Sequence, residues 1–218
     1  MVGAAPARAA PSPGRPIAVL LPLQASEPQT DDYCARTPLD PQIAPIVEVV
    51  ESAAASGPPP SEISVDDHRA GYLALSAFAG AGPAPDHVED RTIPGPAGQI
   101  PVRIYRNEGA RGIFVFFHGV GFTIGNLDPH DEVCRQLAVQ SGATVMAEHY
   151  RLAPVAPFPA GVDDSWAAVQ WVDANRVELG GHADAKIVVA GDSAGGNLSA
   201  AVALMACDAG LVPGVLRR

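Results

Sequence analysis

Cysteine is scarce in this 218-residue chain: Cys34, Cys134 and Cys207 are odd in number and far apart. The spacing excludes a disulfide framework and lacks the close pairs of a zinc site, so a reducing compartment, the cytoplasm, is expected. Uninterrupted apolar stretches of the length a membrane span requires are also missing, so no stable membrane insertion is expected. Residues 17–23, after Arg8 and Arg15, resemble a short signal-peptide core, but Pro16 and Pro22 flank and interrupt it, which leaves secretion as the alternative. Positive charge is the third shortage. Fourteen Lys and Arg stand against 24 Asp and Glu, a formal net charge of -10, with a pI near 4.9. Nucleic acid and anionic membrane surfaces would be repelled over a Debye length, so neither is expected as a partner.

What the chain has is apolar content, 47% of its residues, enough for one domain with a substantial core plus a tail. Residues 1–37 are crowded with Ala, Pro and Ser and show no period, so a disordered tail is expected there. Ile43, Ile46, Val47 and Val50 follow helical spacing until Gly57-Pro58-Pro59-Pro60 ends the run. Ser64 with Asp67 reads as a second helix start, with Tyr72, Leu75 and Phe78 continuing an apolar face. Two such short amphipathic helices need something to pack on.

Between Arg91 and Tyr105 the pattern becomes strand, turn, strand, with Pro94-Gly95-Pro96-Ala97-Gly98 as the turn. Strands and helices then alternate. Residues 113–117, 143–147 and 187–190 read as buried strands. Residues 131–140, with Val133, Leu137 and Gln140 a turn apart, read as a helix, as does the stripe Val162, Trp166, Val169, Val172 and the segment 198–207. Strands without polar alternation, separated by helices, predict an α/β class with a mostly parallel sheet covered on both faces.

Two constellations carry chemistry. Ser193 stands in Gly191-Asp192-Ser193-Ala194-Gly195-Gly196, between a strand-like and a helix-like run. A nucleophilic serine held on a strained strand-to-helix turn needs small neighbours, which Gly191 and Gly195 supply, and the helix from Ala194 aims its free N–H groups at a developing oxyanion. The second is His118-Gly119-Val120-Gly121-Phe122, directly after a buried strand, where glycines let backbone N–H donors turn inward. Taken singly, either cluster is compatible with an ordinary turn of a doubly wound sheet; together they point to acyl transfer.

These motifs, with Tyr150-Arg151-Leu152-Ala153-Pro154 and Pro157-Phe158-Pro159-Ala160, resemble the three signatures of the GDXG lipolytic enzymes, the hormone-sensitive-lipase-like esterases of the α/β-hydrolase fold. The likeness runs from about Leu39 to Asp208. It implies a helical cap over residues 38–86 and a hydrolase core from residue 87, with Ser193 as nucleophile and the N–H groups of Val120, Gly121 and Ala194 as the oxyanion hole. His118, Gly119, Gly191, Asp192 and Gly195 would support the motifs. It implies a small-molecule ester substrate of small to medium acyl length and no cofactor or metal.

The sequence also departs from that family. Val120 replaces a usual glycine, Val155-Ala156 a usual Glu-His pair, and His149 a common aspartate. Family members continue past the elbow helix with strands bearing the triad acid and then the histidine, whereas all six histidines here (68, 87, 118, 130, 149, 182) precede Ser193 and the sequence stops at Arg218. Asp208, the one acidic residue after Ser193, ends a helix and is poorly placed to orient a base. The expectation is therefore a C-terminally truncated relative with impaired hydrolysis. Residues 187–189 would form an exposed sheet edge suited to self-association. His118 is expected to hold its loop by hydrogen bonding, His149 is a remote candidate for a substitute base, and His68, His87, His130 and His182 are expected on exposed loops or helices. Alternatives are a ligand-binding protein, as in plant hormone receptors that resemble this family without the histidine, a non-functional remnant of the fold, and an amidase or formamidase.

Overall fold

A computed structural model describes residues 40–211. The tail expected at 1–37 and residues 212–218 lie outside them. The chain divides at Gly57-Pro58 into two units, inside the segment 38–86 that the sequence reading treated as one cap. The first unit contributes helix α1 (Ala44–Ser56), which starts beside Pro45, ends where the Gly57 N–H reaches Ala53 O, and buries none of its side chains. Ile46 and Val50 are exposed.

The second unit begins with helix α2 (Val65–Ala79). Ser64 caps it, its hydroxyl oxygen accepting from the Asp67 N–H at 3.1 Å. Asp66 and Asp67 in the first turn suit the positive end of the helix. Tyr72 of the expected apolar face is half-buried; the side chains of Leu75 and Phe78 lie outside the described set.

Strands β1 (His87–Gly95) and β2 (Gly98–Arg106) form an antiparallel hairpin closed at Gly95 and Gly98, so Pro96-Ala97 is the turn. Then follow β3 (Gly112–Phe117), α3 (Asp131–Ser141), β4 (Thr144–Glu148), α4 (Ala160–Ala174), α5 (Arg176–Gly180), β5 (Lys186–Gly191) and α6 (Ala194–Asp208). The sheet order is β1-β2-β4-β3-β5. It is mixed: β3, β4 and β5 run parallel, while the hairpin joins them antiparallel through β2 and β4. Strand β4, between β2 and β3, is buried throughout, which explains its unbroken run of apolar residues up to Glu148.

Both faces are covered. On one, Ala168, Val169 and Val172 of α4 and Leu198 and Val202 of α6 pack with Ile113, Val115, Phe117 and Met146. On the other, Cys134 and Ala138 of α3 pack against Phe116, Val145 and Ala147. Each large apolar side chain fully removed from water contributes about 1.5–3 kcal/mol. The buried face of α3 corrects part of the expected stripe: it runs through Cys134 and Ala138 with Leu137 packed beside them, while Val133 is 46% exposed and Gln140 is exposed. Cys134 and Ala138, four residues apart, share one face of the helix, and Val133 lies about a third of a turn round from it.

Register positions the site. Phe117 pairs with Glu148 on one side and Gly191 on the other, so β3, β4 and β5 end at one level. The loops that follow them, at His118, His149 and Asp192, emerge side by side at the carboxyl edge of the sheet, where ligands of open α/β sheets bind.

Candidate active site

Ser193 has φ 48 and ψ -113, a left-handed backbone between β5 and α6. Such a residue costs about 1–3 kcal/mol and persists only where its surroundings over-determine it. Here Asp192 O accepts from Gly195 N at 2.7 Å and Gly196 N at 3.2 Å, and Ser193 O accepts from Asn197 N at 3.1 Å. The glycines are required by close approach. A Cβ on Gly195 would stand 2.6 Å from the Phe117 carbonyl carbon, and one on Gly191 2.5 Å from the Gly195 carbonyl carbon. The serine itself is exposed.

The turn after β3 is left-handed at three successive residues, Val120 (φ 72), Gly121 (φ 67) and Phe122 (φ 61). Val120 O accepts from Thr123 N at 3.4 Å and Ile124 N at 3.2 Å. Two of the three carry a Cβ, so this turn also stores strain and needs outside support. Arg69 of α2 supplies some, its Nε donating to Thr123 O at 2.9 Å and its Nη2 to Ala153 O at 3.0 Å. Ala153 N in turn donates to Phe122 O at 2.9 Å. Tyr150 Oη donates to His118 O at 2.8 Å. Among the described residues, no backbone hydrogen bond of the turn or the elbow uses the N–H of Val120, Gly121 or Ala194. The elbow meets the turn directly: a Cβ on Gly119 would lie 2.8 Å from Asp192 Cγ.

Three histidines gather behind the turn. His118 is buried, its ring 4.4 Å from Tyr150 and 5.6 Å from both His149 and His130. Its Nδ1 lies 3.1 Å from Gly119 O and its Nε2 3.4 Å from His149 Nδ1. Burial pushes the His118 pKa down to about 3, and burial with the nearby Arg69 lowers that of His149, so both rings are neutral at neutral pH. His130 corrects the expectation of an exposed position: it is 4% exposed, packs near Tyr72 and Phe116, and holds its Nε2 3.4 Å from Asp192 Oδ1. Its place at the start of α3 turns it beneath the elbow. His87 and His182 are exposed and face Glu89 and Asp184; His68 is half-buried. No hydrogen bond joins the Ser193 hydroxyl to a histidine among the described residues.

Two residues at this edge, Arg69 and Glu148, were not singled out by the sequence pattern. Arg69 is one arginine in a helix, and only the fold shows that it clamps two loops. Glu148 ends β4 fully buried, with neither carboxylate oxygen hydrogen-bonded. Burial, and then the charge of Asp164, hold its pKa well above the usual carboxylate range. The hydroxyl of Ser165 beside it donates instead to Gly161 O at 2.9 Å. A glutamate closing an otherwise apolar strand was the available clue. Arg151 makes a bidentate pair with Asp164, both contacts 2.8 Å, and fixes the loop after β4.

Two cavities flank the turn. One of about 430 Å³ is lined by Gly121, Phe122, Ala153, Phe158, Val162 and Leu198. The other, about 460 Å³, lies by Arg69, Tyr72, His149, Tyr150 and Leu152. Both are of ligand size and largely apolar. Among the described residues no group of three or more His, Cys, Asp or Glu is placed to hold a metal ion, and no helix is long and apolar enough to cross a membrane.

Residues 114–216 match a family model described as the alpha/beta hydrolase fold. Carboxylesterase NlhH of Mycobacterium tuberculosis is 50% identical over 131 residues, 58% of this chain and 40% of that protein. Carboxylic ester hydrolase LipN of the same organism is 44% identical over 148 residues, 66% of this chain and 39% of that protein. Among solved structures, a hyperthermophilic esterase from the archaeon Pyrobaculum calidifontis superposes with a TM-score of 0.73 at 42% identity, covering 80% of this chain and 56% of that one. The chain thus spans about half the length of the relatives it matches or less. With a strained serine after β5, a left-handed turn after β3 and these likenesses in sequence and structure, the chain has the α/β-hydrolase fold and is similar to carboxylic ester hydrolases.

Proposed function

We propose that this chain carries the nucleophile and oxyanion hole of a carboxylic ester hydrolase. The observation that carries the reading is the left-handed Ser193, set against a second left-handed turn whose N–H groups are unspent. Ser193 Oγ attacks the ester carbonyl carbon while its proton passes to a base. The carbonyl oxygen, now negative, accepts from the N–H groups of Val120, Gly121 and Ala194, the last at the positive end of α6. Collapse expels the alcohol with a proton and leaves an acyl-serine, which water hydrolyses. His118, Gly119, Gly191, Asp192 and Gly195 shape the two turns. The cavity of about 430 Å³ beside Gly121 suits a small or medium acyl group.

The Ser193 hydroxyl has no histidine partner among the described residues, so turnover by the 218-residue chain is expected to be impaired. Losing the histidine of such a triad lowers kcat by about a millionfold, while the oxyanion hole and binding retain about a thousandfold over water. The test compares the chain with Ser193→Ala on p-nitrophenyl acetate and butyrate. Slow hydrolysis that Ser193→Ala abolishes supports the reading; equal rates overturn it. The same missing partner favours a second reading, ligand binding without turnover, which thermal stabilisation by a short-chain ester analogue in both proteins would reveal.

A further inference from the structure

We infer that His149 is a positioning residue of the oxyanion turn: by donating from its Nδ1 to Nε2 of His118, it fixes His118 as the Nδ1–H tautomer, which orients the Gly119–Val120 peptide. The argument is one of proton placement. The Nδ1 of His118 faces a carbonyl oxygen, Gly119 O, which can only accept, so Nδ1 carries a proton. No other group fits there, because the Cα of Gly125 crowds the same nitrogen: a Cβ would stand 2.7 Å away. His118 is buried and neutral, so that proton is its only one, and Nε2 is a bare acceptor. His149 Nδ1, 3.4 Å away, must then be the donor, since the opposite tautomer would set two lone pairs face to face.

The consequence reaches the turn through one peptide. In a trans peptide the C=O and the following N–H point in opposite directions. Holding Gly119 O toward His118 therefore turns the Val120 N–H away from the histidine cluster, leaving it free of backbone partners. Val120 is left-handed, so the direction of this peptide is not the one its side chain prefers, and a fixed acceptor geometry behind it matters. An aspartate at 149 would reverse the polarity: it accepts only, and would demand a proton on His118 Nε2.

The inference rests on the reading of Val120 as an oxyanion donor, and its experiment does not need turnover. Nitrogen-15 NMR of the full chain reports protonation at each imidazole nitrogen. Expected at neutral pH are a protonated Nδ1 and bare Nε2 for His118, and a protonated Nδ1 for His149. His149→Asp is expected to move the His118 Nε2 signal into the protonated range and to shift the Val120 amide, while His149→Asn, whose amide still donates, keeps both near the wild-type positions. Circular dichroism melts check that the variants remain folded. A bare Nδ1 on His118, free titration of His118 as in an unfolded chain, or no change in His149→Asp overturns the inference. The expected tautomers together with ester hydrolysis indifferent to Ser193→Ala would sink the esterase reading alone.

Discussion

Glu148 is the residue whose chemistry least resembles its surroundings. Both oxygens are buried without partners, so the carboxyl is stable there only with its proton on. Its pKa in the folded chain is raised, by burial first and by Asp164 second. The unfolded chain therefore releases this proton at lower pH than the folded one does. The folded state binds more protons in the window above the ordinary glutamate value of about 4.3, and its stability falls as pH rises there. Glu148→Gln removes that fall. In urea melts compared pH by pH, its advantage over wild type should grow from acid to mildly alkaline conditions at up to about 1.4 kcal/mol per unit; a constant difference would contradict the protonated assignment. Buried His118, its pKa pushed down to about 3, acts in the opposite sense below about 6.5, which is why each variant is set against wild type at the same pH. Neither environment was legible in the sequence. His118 and Ser193 announced themselves through neighbouring glycines, whereas burial of Glu148 and His130 depends on which strands and helices lie across from them.

At the scale of elements, the strain in the two turns is balanced from a distance. Helix α2 reaches the turn after β3 through Arg69, which donates to carbonyls on two different loops. Hydrogen bonds from a charged donor contribute about 1.5–3 kcal/mol each, and less where the side chain is partly wet, as Arg69 is. Arg69→Met, which keeps most of the apolar stem, should speed amide hydrogen exchange at Thr123 and Ile124 at least tenfold. Exchange within β3 and β4 should stay as in wild type; unchanged exchange at Thr123 and Ile124 would show that the clamp is idle. The elements themselves were mostly readable: the hairpin from its Pro-Gly turn, β3 and β5 from apolar runs, α4 from the stripe Val169, Val172. The face of α3 was readable only in part, because Val133 and Cys134 are neighbours on the helix and the strands across from it decide which of them is buried.

Across the whole molecule, the parallel strands end together and the hairpin extends the sheet on one side only. Among the described residues β5 pairs with β3 alone, and Val188 on it is 45% exposed. An unpaired edge whose one charge is Lys186 at its start is a template for another strand along residues 187–190. Sedimentation of the 218-residue chain should show association that rises with concentration and is suppressed in Val188→Lys; monomers at all concentrations would refute it. The net charge of -10 opposes such association, so it should strengthen with salt. One further consequence follows from Phe117. Its carbonyl lies against Gly191 and Gly195, so a main-chain contact sets how closely the strand-to-helix turn of the serine approaches β3. Side chains lining the neighbouring cavity at Phe158 and Val162 lie outside both strained turns. Selectivity and reactivity are thereby separable: a library randomised at those two positions would vary which molecules fit while leaving both strained turns untouched.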